Sequence, residues 1–302
     1  MTWIPDWLTL DGAVERLARP TQAQFDDLLK EGKPRILEAE FAGTKALQDW
    51  TVEYLRDKCG HATVRVFVSI GDDYSVDIDS TSQSRKQIRD MSMAEFVERI
   101  SGLPGHEPLL EPGERYYLYA FPAQLFDGVL TELPEPRFLS DQRYGPVRSN
   151  FWVSPPNFIT LAHSDPFHDN LLAQIRGVKR LLLWDPSQAP LLYLNKFGDA
   201  NHGRSQPDLR KPDFDRYPLL KQSHALEVCL HPGDVLYLPE AWVHYVYTDS
   251  LSISVNYWFT LRADLQQALG VIDQQFKAMT PDLRAFYVYM LRLQGSLLDA
   301  AA

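Results

Sequence analysis

A mainly β fold, a double-sheet barrel or jelly roll with N-terminal α/β additions and a C-terminal helical pair, is what this 302-residue sequence predicts. Three observations carry the prediction. From about residue 115 to 260, short apolar segments are separated by Pro, Gly, Asp and Asn, the spacing of a double-sheet β domain. The first hundred residues instead carry helix start and stop signals around one alternating strand, and the tail returns to helical periodicity. Hydrophobic residues make up 45% of the chain, enough for one large core, so one domain over 1–262 and a helical segment over 263–302 are expected.

Taken in order, Thr21 caps a helix whose Phe25, Leu28 and Leu29 face one way, and Gly32 with Pro34 closes it. Asp49 or Thr51 opens a second helix running through Tyr54 and Leu55 to Gly60. Ala62 to Val68 alternates and is β-branched, so it reads as a strand. Ser92 with Glu95 three residues on forms a capping-box pattern ahead of Phe96, Val97 and Ile100. Strands are then expected at 115–120, 151–163, 170–175, 179–184, 225–230, 234–238, 244–248 and 251–259. Within this run, Ile175-Arg176-Gly177-Val178 reads as a two-residue hairpin that sets Lys179 opposite Gln174. Residues 195–218 form a polar, Pro-punctuated loop of a length often tied to function, a solvated excursion being the plain alternative. In the tail, Leu265, Leu269, Ile272 and Phe276 make one apolar stripe, and Phe286, Met290, Leu293 and Leu297 a second after Thr280-Pro281. Tyr287, Val288 and Tyr289 broaden that second stripe beyond one packing face. A homodimer surface is therefore expected there, with packing on the barrel as the alternative.

Composition narrows the partners. The net charge of −10 repels a phosphate backbone, which disfavours nucleic acid as a substrate. No stretch approaches the length of an apolar membrane span, and the N-terminal segment has no basic region ahead of an apolar run. Cys59 and Cys229 are the only cysteines, and neither sits in a metal-binding or redox pair. A soluble, cytoplasmic protein without membrane association is the expectation.

The chemistry is concentrated at His163-Ser164-Asp165 and at His244, 79 residues beyond Asp165. Two imidazoles and a carboxylate are the ligand set that seats Fe(II) with positions left open. The bare triplet is weak, because eight histidines in a chain this acidic yield roughly one His-x-acid by chance. Parity strengthens it. In the strand Ile159 to Asp165, His163 and Asp165 share a face, whereas Thr160 has the opposite parity and joins them only if the strand bulges. On one face of the following strand lie Asn170, Leu172 and Gln174, with Lys179 beside Leu181 and Leu183. A lysine among leucines is costly unless an anion meets it. Ser252, Ser254, Asn256 and Trp258 alternate with bulky apolar residues, leaving a small polar face with room for a ligand. Tyr117 and Tyr119 project together from the strand that follows Glu114-Arg115.

These residues resemble the JmjC-type, cupin-like Fe(II)/2-oxoglutarate oxygenases, whose domain is a double-stranded β-helix. The likeness runs through HSDPFHDNLLAQIRGVK (163–179), PGDVLYLPEAWVH (232–244) and SVNYW (254–258), and over most of the chain. Its layout is similar to that of the family's small hydroxylases, which include enzymes of a tRNA nucleoside and of an asparaginyl side chain. The resemblance implies that His163, Asp165 and His244 hold Fe(II) and that Lys179 pairs with the distal carboxylate of 2-oxoglutarate. It further implies that Tyr117, Thr160, Asn170 and Asn256 complete the co-substrate pocket, with O2 as the oxidant. The implied reaction couples O2 and 2-oxoglutarate decarboxylation to C–H hydroxylation, releasing succinate and CO2, with a peptide or protein side chain as the expected substrate. A small metabolite or tRNA nucleoside, a cupin-type Zn or Mn isomerase or hydrolase, and a non-catalytic binding barrel are the alternatives.

Overall fold

The computed structural model describes residues 3–70, 75–76, 86–101, 114–120, 129–140, 143–144, 147–165, 168–195 and 203–261. Two sheets dominate it. The smaller has six strands in the order β1 (Thr9–Ala13), β12 (His224–Leu230), β11 (Lys179–Trp184), β14 (Val243–Thr248), β9 (Phe158–Ser164) and β5 (Ser75–Val76). The larger has nine: β2 (Arg16–Ala18), β3 (Arg35–Glu38), β13 (Asp234–Leu238), β10 (Asp169–Arg176), β15 (Ser252–Phe259), β8 (Arg148–Ser154), β7 (Glu114–Ala120), β4 (Thr63–Ile70) and β6 (Lys86–Ser92). Strands β8 to β11 alternate one by one between the larger and the smaller sheet, the winding of a jelly roll.

Alternation along each strand sorts residues into three apolar layers. Between the sheets, Leu181, Leu183 and Val228 of the smaller meet Ile36, Leu236 and Leu238 of the larger. The outer face of the larger sheet, with Ile253, Val255, Tyr257 and Phe259, is covered by Phe25, Trp50, Leu55 and Phe96 from the N-terminal helices. Each such fully buried side chain contributes roughly 1.5–3 kcal/mol. On the outer face of the smaller sheet, Leu182, Trp184 and Tyr245 pack with Leu192, Leu209 and Leu220.

The helices start where local chemistry directs. Helix α1 (Gln22–Glu31) has a full capping box between Thr21 and Gln24 and ends at Gly32, whose φ is 60°. After a short α2 (Lys45–Asp49), α3 (Val52–Cys59) begins at Thr51, whose side chain accepts from the Tyr54 amide at 3.1 Å; Asp49 belongs to the preceding helix. Before α4 (Met93–Ser101), Ser92 Oγ accepts from the Glu95 amide at 3.1 Å, while the Glu95 carboxylate turns to Arg99 at 2.8 Å.

Three expectations need correction or lie elsewhere. The strand expected over 151–163 is two strands in different sheets. Pro155-Pro156 withholds two amide donors, and Asn157, at φ 58°, turns the chain from β8 into β9. The Gly177 turn is not a hairpin, since β10 and β11 also lie in different sheets; Lys179 pairs with Leu230 and Thr248, not with Gln174. Gly177 is required there: its φ is 70°, and a Cβ would stand 2.1 Å from the Leu251 carbonyl oxygen. Strands β1, β2, β3, β5 and β6 carry no expectation from the sequence, and the C-terminal helical pair with its dimer surface falls outside the described residues. No helix of the described residues is long and apolar enough to cross a membrane.

Candidate active site

The two histidines and the aspartate converge at neighbouring strand ends of the smaller sheet. His163 is paired directly with His244 across β9 and β14, and their ring centroids lie 4.1 Å apart. Asp165 follows β9 by one residue. One ligand atom from each of the three lies within 4.8 Å of the others, close enough to share one ion. Asp165 Oδ1 is 3.9 Å from His163 Nε2, and Oδ2 is 4.0 Å from His244 Nε2.

Both imidazoles are oriented by backbone. His163 Nδ1 donates to the Leu161 carbonyl at 2.8 Å and His244 Nδ1 to the Trp242 carbonyl at 3.2 Å. A carbonyl can only accept, so the protons sit on Nδ1 and both Nε2 lone pairs face the site, as metal ligation requires. Burial, then His244 and Arg204, hold the His163 imidazole well below its ordinary pKa, which keeps it neutral. This donor set, aimed at one point without a competing proton, fits a divalent metal.

Thr160 reaches the same face through a bulge. From His244 to Val246 the partner strand advances two residues while β9 runs from His163 back to Thr160, three residues. The extra residue restores parity. Leu161 and Ala162 are both left on the outer side, in the layer with Tyr245.

Lys179 is buried at 4% exposure, and its ammonium donates to Ser254 Oγ at 2.7 Å across the gap between the sheets. Burial pushes its pKa down to about 7. Nearby, Gln174 Oε1 and Ser154 Oγ are buried with no hydrogen-bond partner among the described residues. Among the described residues, a cation with a single neutral partner beside orphaned polar atoms forms the wall of a pocket suited to a polar, anionic molecule.

Asn256 lies between this lysine and the ligands, in a chain of amides across three strands. Its Nδ2 donates to Asn170 Oδ1 at 3.2 Å, and its Oδ1 accepts from Asn150 Nδ2 at 3.2 Å and Trp152 Nε1 at 2.6 Å. Among the described residues, one Asn256 N–H has no partner beyond the Asn170 bond and is available to a ligand. Tyr117 is stacked on Phe158 at 4.9 Å and tilted against Trp152 at 5.6 Å, on the same inner surface. All eight residues singled out in the sequence thus face the space between the sheets around the His-Asp-His cluster.

Sequence reasoning missed several neighbours. Trp152 and Asn150 sit opposite Ser254 and Asn256 in register, but the boundary between β8 and β9 hid their parity. Trp258, which the sequence puts on the ligand-facing side of its strand, donates its Nε1–H to Asp165 Oδ2 at 3.2 Å, a contact no local pattern announces. Part of the long loop also docks here: Gly203 O and the Ser205 amide bond to β9 at Ser164 and Ala162, and Arg204 bridges His163. Gly203 has φ 73°, and a Cβ would approach the Ser164 carbonyl oxygen to 2.9 Å.

A jelly roll with two imidazoles and one carboxylate at neighbouring strand ends is the arrangement of a candidate cupin-type metal site. The family model for the cupin-like domain matches residues 20–264, and the chain belongs to that family. Among its relatives, tRNA wybutosine-synthesizing protein 5 of Danio rerio is 27% identical and that of Mus musculus 28%, each alignment covering 93% of this chain and 93% and 95% of the relative. Lysine-specific demethylase 8 of Xenopus tropicalis is 28% identical over 84% of this chain but only 54% of its own length. Within the cupin-like family the protein is a JmjC-type oxygenase, a group whose members use Fe(II) and 2-oxoglutarate.

Proposed function

We propose that the protein is an Fe(II)- and 2-oxoglutarate-dependent hydroxylase in which His163, Asp165 and His244 hold the metal. The observation that carries this reading is the convergence of three ligand atoms within 4.8 Å, with a buried lysine on the adjoining strand. When bound, Fe(II) with 2-oxoglutarate supplies the oxidation of a substrate C–H bond by O2, with succinate and CO2 as by-products. The chain's own residues place and shield. Lys179 and Ser254 receive the distal carboxylate, and Asn256, Tyr117, Thr160 and Asn170 wall the co-substrate between the sheets. The formal charges of the ion, Asp165, the dianion and Lys179 cancel, as a buried site demands. Leu181, Leu183 and Val246 keep water from its floor.

For the substrate, a protein side chain is our first reading; the relatives named lysine-specific demethylases and the net charge of −10 support it. A tRNA nucleoside is the second, favoured by the nearly end-to-end match to the wybutosine-synthesizing proteins. Anaerobic addition of Fe(II) and then 2-oxoglutarate should raise a visible metal-to-ligand charge-transfer band. Succinate release should then appear with either a peptide library or bulk tRNA. Turnover with Zn or Mn but no use of O2 or 2-oxoglutarate would replace the reading with a cupin isomerase or hydrolase.

A further inference from the structure

Asp165 has two oxygens that the histidines approach almost equally, Oδ1 at 3.9 Å from His163 and Oδ2 at 4.0 Å from His244. A carboxylate centred in this way is disposed to clasp an ion with both oxygens, and that would occupy a fourth coordination position. An octahedral ion with three protein donors keeps three positions for exogenous ligands; with four it keeps two. The chain therefore needs something to separate the roles of the two oxygens.

We infer that Trp258 is the positioning residue that confines Asp165 to one-oxygen coordination. This rests on the metal-site reading proposed above. The indole N–H donates to Oδ2 at 3.2 Å, drawing that oxygen toward β15 and leaving Oδ1 as the unencumbered donor. The indole itself is held from several directions. The His168 ring stacks on it at 6.0 Å and 20°, with His168 Nδ1 3.1 Å from Thr260 Oγ1. The Arg148 guanidinium lies 5.1 Å from the ring centroid, and Arg148 Nε donates to Asn150 Oδ1 at 3.2 Å. Backbone pairing sets Trp258 between Asn170 and Arg148 in the middle of the larger sheet. Its N–H is thus directed from a rigid strand across to a ligand carried on the other sheet, the arrangement by which an outer partner tunes a metal donor.

The test is Trp258→Phe, which keeps an aromatic ring on the same strand while removing the N–H donor along with part of the indole's bulk. Purified full-length protein, wild type and variant, is titrated with Co(II) in the absence of 2-oxoglutarate, and affinity and the visible d–d spectrum are read. We expect the variant to bind Co(II) 10–100-fold more weakly, the typical cost of losing an outer-shell hydrogen bond. Its band intensities should also change as the carboxylate becomes bidentate, while the far-UV circular dichroism of the metal-free protein stays the same. Equal affinity and an identical spectrum overturn the inference. Should the variant fail to fold, a crystal structure of Co(II)-loaded wild type decides. One Asp165 oxygen on the metal and the other on Trp258 upholds the assignment, and both oxygens on the metal refutes it. Failure of the wild type to bind Co(II) at all would instead refute the metal site, an outcome distinct from either.

Discussion

Lys179 occupies a costly position that its proposed role explains. Burial has driven its pKa to about 7, from an ordinary 10.5, because the ammonium has exchanged water for a serine hydroxyl. Between those two values the unfolded chain holds a proton that the folded one has released. Stability of the ligand-free protein should therefore rise with pH across that window, and the rise should vanish in Lys179→Met; chemical denaturation at about pH 6 and about pH 9 measures it. Co-substrate binding has the opposite sign. With Lys179 as the proposed partner of the distal carboxylate, the protonated amine is the form that binds, so calorimetric affinity for 2-oxoglutarate should fall by up to about tenfold per unit once pH passes about 7. Lys179→Ala should weaken 2-oxoglutarate binding by roughly 2–5 kcal/mol, the range for stranding one partner of a buried charge pair. An unchanged affinity in that variant discards the role given to the lysine.

At the scale of elements, the decisive features are a bulge and a turn. The extra residue in β9 carries Thr160 to the face of His163. Sequence parity identifies the need for such a bulge but not its presence, because hydrogen bonding to β14 decides which residue is left out of the ladder. The Gly177 turn moves the chain from the larger sheet to the smaller, so that Lys179 faces Ser254 across the interior and does not lie beside Gln174 in one sheet. A hairpin and a crossover turn both need glycine with positive φ, so the local signal cannot separate them. Gly177→Ala adds left-handed strain of about 1–2 kcal/mol for a residue with a Cβ, and a contact with the Leu251 carbonyl that backbone must relieve. We expect a loss of about 2 kcal/mol or more in denaturant melts, accompanied by weaker 2-oxoglutarate binding. By contrast, Thr21→Ala should cost only about 1 kcal/mol and leave ligand binding untouched, since that capping box serves α1 alone.

Across the whole molecule, the site is divided between the sheets. The three metal-ligand candidates and Lys179 stand on or beside strands of the smaller sheet, whereas Asn256, Asn170, Tyr117 and Ser254 belong to the larger. A co-substrate seated between them, as proposed, bridges two layers that meet through an apolar layer of Leu, Val and Ile and through the Lys179–Ser254 and Trp258–Asp165 hydrogen bonds. Binding should then register as global stabilisation, about 2.7 kcal/mol at a ligand concentration one hundred times the dissociation constant. In thermal melts, Mn(II) should stabilise wild type and Lys179→Ala alike, and 2-oxoglutarate should add a further shift only in wild type. His244→Ala should lose both shifts. A 2-oxoglutarate shift that survives in Lys179→Ala would place the co-substrate elsewhere.

The amino-acid sequence by itself determined the β class of residues 115–260, the helix starts at Thr21 and Ser92, and the inward faces of β10 and β15, all of which follow from spacings of a few residues. It also singled out His163, Asp165, His244 and Lys179, because a metal-ligand pair two residues apart and a lysine among leucines are local anomalies. Only the tertiary structure decided which sheet each strand joins, that Trp258 reaches Asp165, and that Gly203 to Ser205 dock on β9. A period of two specifies which way a side chain points and is silent about what it will meet. The partners are set by backbone pairing and packing between segments far apart in the chain.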